Sequence, residues 1–321
     1  MNIPFLRGIP GIVIWAGVCM AGPAAGWAAA AEHSTEMVER YGKPYVMVTI
    51  NGRGPFRFVI DTGTGADALV TPELAAELNL PSVGQATLSD PSGQGGRKVR
   101  ILEMSTLGLA GVEFTHVRAV EHTFYAEAGQ AQGLLGFTLF KDYLLTLDFP
   151  ARRVVLDTGA LTPDGEKTVL PFRLQAGVPV ARLKVDGLEP VEAQLDSGGG
   201  GLVIPERLAE HLKYDLAPVA FAEGQSICTK FQIKAGKLGS DVKLGRYTFT
   251  HPVIEIHPAF PLVNFGSPPM QVFAITFDQK NQLVRFESNQ KRFTLSAPPT
   301  PPRMTNEAPH QPPPADLVPV G

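Results

Sequence analysis

The chain carries a copy of itself, displaced by 135 residues. Val59-Ile60-Asp61-Thr62-Gly63 returns as Gln194-Leu195-Asp196-Ser197-Gly198. In each segment a strand-like run ends in Asp, followed by a small hydroxyl residue and Gly. The likeness extends upstream, where Asn51-Gly52 and Asp186-Gly187 begin ten residues ahead of their Asp. Both dipeptides suit a tight hairpin turn. Each follows an alternating run, Tyr45-Val46-Met47-Val48-Thr49-Ile50 or Val180-Ala181-Arg182-Leu183-Lys184-Val185, which predicts a half-buried strand. A repeat of this length obliges the chain to fold as two related halves.

Downstream of each Asp comes a glycine-rich loop and then a helix start, Pro72-Glu73-Leu74-Ala75 and Pro205-Glu206-Arg207-Leu208. Pro and Glu in a first turn suit a helix N-terminus. The closing segments also match. Leu134-Leu135-Gly136 leads to Leu144–Asp148 and then Arg153–Leu156, while Asn264-Phe265-Gly266 leads to Phe273–Asp278 and then Leu283–Phe286. Twelve residues separate Gly136 from Asp148 and Gly266 from Asp278. Each closing segment predicts a two-stranded hairpin. The repeat also disposes of a decoy. Asp157-Thr158-Gly159 has the same motif, but it aligns with Glu287 at the end of a closing strand, so it is expected to be structural.

Two Asp residues delivered by two copies of one framework point to a pair of carboxyls held close. Such a pair cannot ionise twice, so one proton is shared and the pair serves as both acid and base. The motifs then match a known pattern. An apolar strand ending in Asp-Thr/Ser-Gly, followed some way on by two apolar residues and Gly, resembles the pepsin/retropepsin-like aspartic peptidases. The resemblance runs from about Tyr45 to Phe293, covers both copies, and is fuller in the first, Phe58 to Ala66 with Leu134 to Phe137.

That resemblance implies a mainly β, bilobal pepsin-like fold of two homologous six-stranded-barrel-like lobes with a cleft between them. It implies Asp61 and Asp196 as the catalytic pair acting on water. Thr62 and Ser197 resemble the residues that brace the two loops against each other, and Thr64 resembles the hydroxyl that bonds its own Asp. Gly63 and Gly198 allow close backbone approach. A turn without an aromatic, Ser92-Gly93-Gln94-Gly95, is the candidate flap, and its glycine-rich tip resembles the retropepsin flap. The implied partner is an extended peptide or protein substrate. No metal or organic cofactor is implied, and a monomer is expected.

Departures from the pattern fall in the second copy. Gly199 stands where a hydroxyl is common, so Asp196 is expected to lose a hydrogen bond that favours its charge. Asn264 brings a polar residue to an apolar position. These two residues motivate the alternative reading, a weak or inactive relative that binds peptide or cell-envelope ligands. His251 and His257 flank a short strand and are expected to be exposed rather than metal-bound, since a third ligand is not evident.

The remaining segments set the surroundings. The first 30 residues carry one charged side chain, Arg7, an apolar run from Ile9 to Met20, and Ala28-Ala29-Ala30, which predict a signal peptide. With Cys19 inside it, Cys228 is left alone, so no internal disulfide is expected and an exported, bacterial periplasmic or secreted setting fits. No membrane span is expected once the signal is removed. A net charge of −3 without a basic patch argues against nucleic acid. The expected layout is a signal over 1–30, lobes over 31–162 and 163–296, and an extended, disordered tail over 297–321, where nine of 25 residues are Pro.

Overall fold

The computed structural model describes residues 33–40, 42–88, 96–123, 131–225, 230–258 and 260–296. The expected signal, the candidate flap Ser92-Gly93-Gln94-Gly95, Cys228 and the Pro-rich tail lie outside the described residues.

The alternating runs fold as their pattern demands. In Lys43–Ile50, Val46, Val48 and Ile50 turn inward and Met47 and Thr49 outward. Asn51 and Gly52 both take positive φ, 50° and 72°, and turn the chain into Arg53–Asp61. The copy repeats this with Val178–Val185, a turn at Gly187 (φ 94°), and Val191–Leu195. Even the register is kept: Tyr45 pairs with Val59 and Val48 with Phe56, and Val180 pairs with Gln194 and Leu183 with Val191. Each Asp-bearing strand then receives a parallel neighbour from the end of its own copy. Asp61 lies across from Gly136, and Leu195 across from Phe265.

The helices are short. Pro72–Glu77 is capped by Thr71, whose Oγ1 accepts from the Leu74 N–H at 3.3 Å. Its counterpart is Glu206–Ala209. The hairpin of Ser82–Leu88 with Arg97–Leu109, which flanks the candidate flap, also has a counterpart, Tyr214–Gln225 with Lys230–Leu238. The sequence reading had not singled out that second hairpin.

The fold is mainly β, in three sheets. One of eight strands is drawn from the first copy and one of eleven strands from the second. The count of six appears instead in a sheet both copies build, in the order His33–Glu36, Arg153–Asp157, Leu144–Asp148, Ala274–Asp278, Leu283–Glu287, Val169–Pro171. At its centre a strand pairs with its own copy: Leu144 faces Asp278, Thr146 faces Thr276, and Asp148 faces Ala274. Thr146 and Thr276 are equivalent residues, and their hydroxyls meet at 2.9 Å. An antiparallel pairing centred on equivalent residues is what a two-fold relation between the copies requires.

One apolar core runs through both copies, and Phe137 packs edge-on against Phe277, with ring centroids 5.2 Å apart. Removing such a fully buried ring costs about 3–5 kcal/mol. Asp157 ends the strand next to the edge of that sheet, exposed, opposite Leu144, as Glu287 ends the matching strand opposite Ala274.

Candidate active site

The structure brings Asp61, Thr62, Gly63, Thr64, Ser197 and Gly198 together. Asp61 is the last residue of a strand whose preceding residues, Phe58 to Ile60, are buried in the core. The chain turns at once: the Thr64 N–H donates to the Asp61 carbonyl (3.1 Å), and the Gly63 N–H donates to Asp61 Oδ1 (2.9 Å). The second copy reproduces the turn, with Gly199 N–H on the Asp196 carbonyl and Gly198 N–H on Asp196 Oδ1, both at 3.0 Å.

Thr62 and Ser197 lock the loops across the two copies. Thr62 Oγ1 donates to the Leu195 carbonyl (2.8 Å) and accepts from the Ser197 N–H (3.0 Å). Ser197 Oγ donates to the Ile60 carbonyl (2.7 Å) and accepts from the Thr62 N–H (3.1 Å). Neither side chain is exposed at all. Four backbone groups that burial would otherwise leave unpaired are thereby satisfied.

This lock holds the two carboxyls against each other. Asp61 and Asp196 are 7% and 9% exposed, close enough for the charge of one to act on the other. A Cβ on Gly63 would overlap the Asp196 carboxyl, and one on Gly198 the Asp61 carboxyl. Glycine is required here for close approach rather than for an unusual φ. Burial, and then the charge of Asp196, push the Asp61 pKa up to about 7; the Lys43 charge and the Thr64 hydroxyl pull against that rise. Two buried carboxyls that act on each other in this way resist ionising together near neutrality.

Two residues that the sequence reading did not place in the site belong to it. Asn264 Nδ2 donates to Asp196 Oδ2 at 2.6 Å, while Thr64 Oγ1 donates to Asp61 Oδ2 at 3.1 Å. The expectation that Asp196 lacks a second hydrogen bond is therefore overturned: the strand next to it supplies one where the loop does not. A polar residue between Val263 and Phe265, paired with a missing hydroxyl at 199, was the available signal. Lys43 is the other. Its ammonium donates to the Gly198 carbonyl and its charge acts on Asp61. Lys43→Met is accordingly expected to raise the Asp61 titration above about 7. Carboxyl-carbon NMR against pH measures it, and an unmoved or lowered titration contradicts the assignment.

The histidines divide. His251 is partly exposed, with Nδ1 2.7 Å from Asp215 Oδ2. His257 corrects the expectation of exposure: it is buried, its Nε2 lies 3.1 Å from Glu255 Oε2, and its ring lies between Phe231 and Phe260. The strand is buried on both faces from Ile254 to His257, so the imidazole sets its Nε2 beside the Glu255 carboxylate two positions away, while its Nδ1 has no partner among the described residues. Among the described residues no three His, Cys, Asp or Glu side chains converge as a metal site would need. No described helix is long and apolar enough to cross a membrane.

Residues 46–139 match the family model described as aspartyl protease. A comparison with curated proteins finds no match. The matched stretch contains Asp61, Thr62, Gly63 and Thr64 and ends within the segment Phe137–Phe140 that follows Gly136. A domain of this kind points to a peptidase, a hydrolase acting on peptide substrates. The match over residues 46–139 supports an aspartic peptidase family for this chain.

Proposed function

We propose that this protein is an aspartic endopeptidase in which Asp61 and Asp196 form the catalytic dyad, set in a cleft between two pepsin-like lobes over residues 31–162 and 163–296. In this reading the chain is exported by its first 30 residues and acts on an extended peptide. The observation that carries it is the pair of buried carboxyls held by the reciprocal Thr62–Ser197 lock. Family membership of the first copy supports it. The binding-only alternative rested on Gly199 and Asn264, and the Asn264–Asp196 hydrogen bond removes that motive.

The chemistry follows from one proton on two carboxyls. The ionised carboxylate takes a proton from water as its oxygen attacks the peptide carbonyl carbon. The carboxylic acid donates to the carbonyl oxygen. Collapse of the tetrahedral diol breaks the C–N bond as one diol hydroxyl returns its proton to the dyad and a dyad proton passes to the leaving amine, so the pair ends with one proton again. Water is the co-reactant, and the products are an acid and an amine.

The test is hydrolysis of a peptide library by the purified protein across about pH 4 to about pH 8. Cleavage is expected, with the rate falling as pH rises through about 7, where Asp61 loses its proton. No cleavage of any peptide at any pH would defeat the proposal.

A further inference from the structure

The copies satisfy their carboxylates by different chemistry, and the difference bears on where the shared proton sits. On Asp61 the outer oxygen meets a hydroxyl, Thr64 Oγ1; on Asp196 it meets an amide, Asn264 Nδ2. A hydroxyl both donates and accepts, so it serves a protonated or an ionised carboxyl equally. An amide NH2 only donates. It therefore bonds an ionised carboxylate oxygen more strongly than one that carries a proton, and cannot accept that proton's hydrogen bond.

The amide's orientation follows from its surroundings. As placed, one buried acceptor, Asn264 Oδ1, lacks a partner. Turned over, the amide would point two N–H groups into that same place and aim its carbonyl oxygen at a carboxylate, which is costlier on both counts. Gly199 completes the exchange. A Cβ there would sit 2.8 Å from Asp196 Oδ2 and 3.1 Å from Asn264 Oδ1. A side chain at 199 and the Asn264 amide thus compete for one space, so the bare glycine and the polar strand residue are two halves of one substitution.

We propose that Asn264 has taken the place of the hydroxyl missing at 199 and, as a donor that cannot reverse, is the positioning residue that keeps Asp196 ionised and the shared proton on Asp61. The inference rests on the peptidase reading and deepens it: Asp196 is the base toward water, and Asp61 is the acid toward the substrate carbonyl. The other charged groups around this loop are Lys43, on the Gly198 carbonyl, and Glu255 with His257, whose carboxylate lies against Gly201. None of them donates to Asp196 Oδ2 in Asn264's stead among the bonds described.

The experiment is a cycle of Asn264→Leu, Gly199→Ser and the double variant. Asn264→Leu restores the apolar residue of the first copy at Leu134 and is expected to lower kcat about 10- to 100-fold, the effect of one hydrogen bond to a charged group, with KM nearly unchanged. Its acid limb, where the base loses activity by protonation, moves to higher pH. Gly199→Ser alone crowds the amide and loses activity too. In the double variant the serine no longer competes with the amide, and once the Asp196 carboxyl gives by a few tenths of an ångström the serine hydroxyl takes over the bond and restores most of kcat and the acid limb.

A double variant no better than Asn264→Leu, or an acid limb unmoved in Asn264→Leu, overturns the proposal. Should leucine disturb the fold by circular dichroism, Asn264→Ala reads the same limb without added bulk. Carboxyl-carbon NMR near the middle of the active range locates the proton without turnover. It is expected on Asp61 in the unsubstituted protein, and a proton on Asp196 refutes the assignment. Failure of Asn264 and failure of the peptidase reading are thereby told apart, because the first is read from the carboxyls and the second from hydrolysis.

Discussion

Asp61→Asn and Asp196→Asn each lower peptide hydrolysis by about 100-fold to 10,000-fold, the range for losing a positioned acid or base. Asparagine matches the shape of the carboxyl and leaves the surrounding N–H donors a partner, but it can neither take a proton from water nor share one. The loss should come with a gain in stability for Asp61→Asn at high pH. The Asp61 pKa is raised from 3.8 to about 7 by burial and then by the Asp196 charge. A group raised in this way contributes stability that is complete below the unfolded value and is lost as pH rises through the folded one. At pH above about 7 the wild type carries a charge the fold disfavours, and a neutral asparagine relieves it by on the order of a few kcal/mol. Thermal melting of Asp61→Asn should therefore exceed that of the wild type at about pH 8 and lose the advantage at about pH 4. A variant that is inactive yet melts higher excludes unfolding as the cause of inactivity. Activity surviving both substitutions would sink the dyad.

Thr62→Val is expected to be the most destabilising change in the site for its size. Valine keeps the volume of threonine and deletes one hydroxyl. That hydroxyl donates to the Leu195 carbonyl and accepts from the Ser197 N–H, and both groups lie in a place without access to water. Each orphaned group costs about 1–3 kcal/mol, so the loss is roughly 2–6 kcal/mol. At about 2–4 °C per kcal/mol for a chain of this size, melting falls by roughly 5–20 °C. Activity falls as well, because the lock sets the spacing of the carboxyls. Thr62→Ser keeps the hydroxyl and is expected to stay within about 1 kcal/mol of wild type. Differential scanning calorimetry separates the two. Equal melting of Thr62→Val and wild type would mean that the reciprocal bonds do not hold the loops.

Much of this arrangement was legible before any coordinates. Strand alternation around Val46 and Val48, the turn at Asn51-Gly52, and the return of each feature near Asp196 are local signals, repeated twice. The repeat also separated Asp157 from Asp61, though the triplets are identical, and the structure has Asp157 exposed at the end of the strand Arg153–Asp157. Other readings went astray for a common reason. Asn264 looked like damage to an apolar strand because its use lies 68 residues away, on Asp196. His257 looked exposed because alternation supposes one open face, whereas Ile254 to His257 are all buried and Phe231 and Phe260 pack against the His257 ring. Lys43 gave no sign at all, since its partner, the Gly198 carbonyl, is 155 residues distant.

By itself the sequence determined that there are two copies, that each is mostly strand, and that each ends a buried strand in Asp, a hydroxyl residue and Gly. Periodicity and turn chemistry act over a few residues, and duplication makes them readable at long range. Tertiary structure alone decided that the copies meet about Thr146 and Thr276, that the hydroxyls of Thr62 and Ser197 bond across rather than within their loops, and that Asn264 donates to Asp196. Those outcomes depend on which groups burial leaves without water, and a buried donor takes whatever acceptor the folded chain brings within about 3 Å, regardless of its distance in sequence.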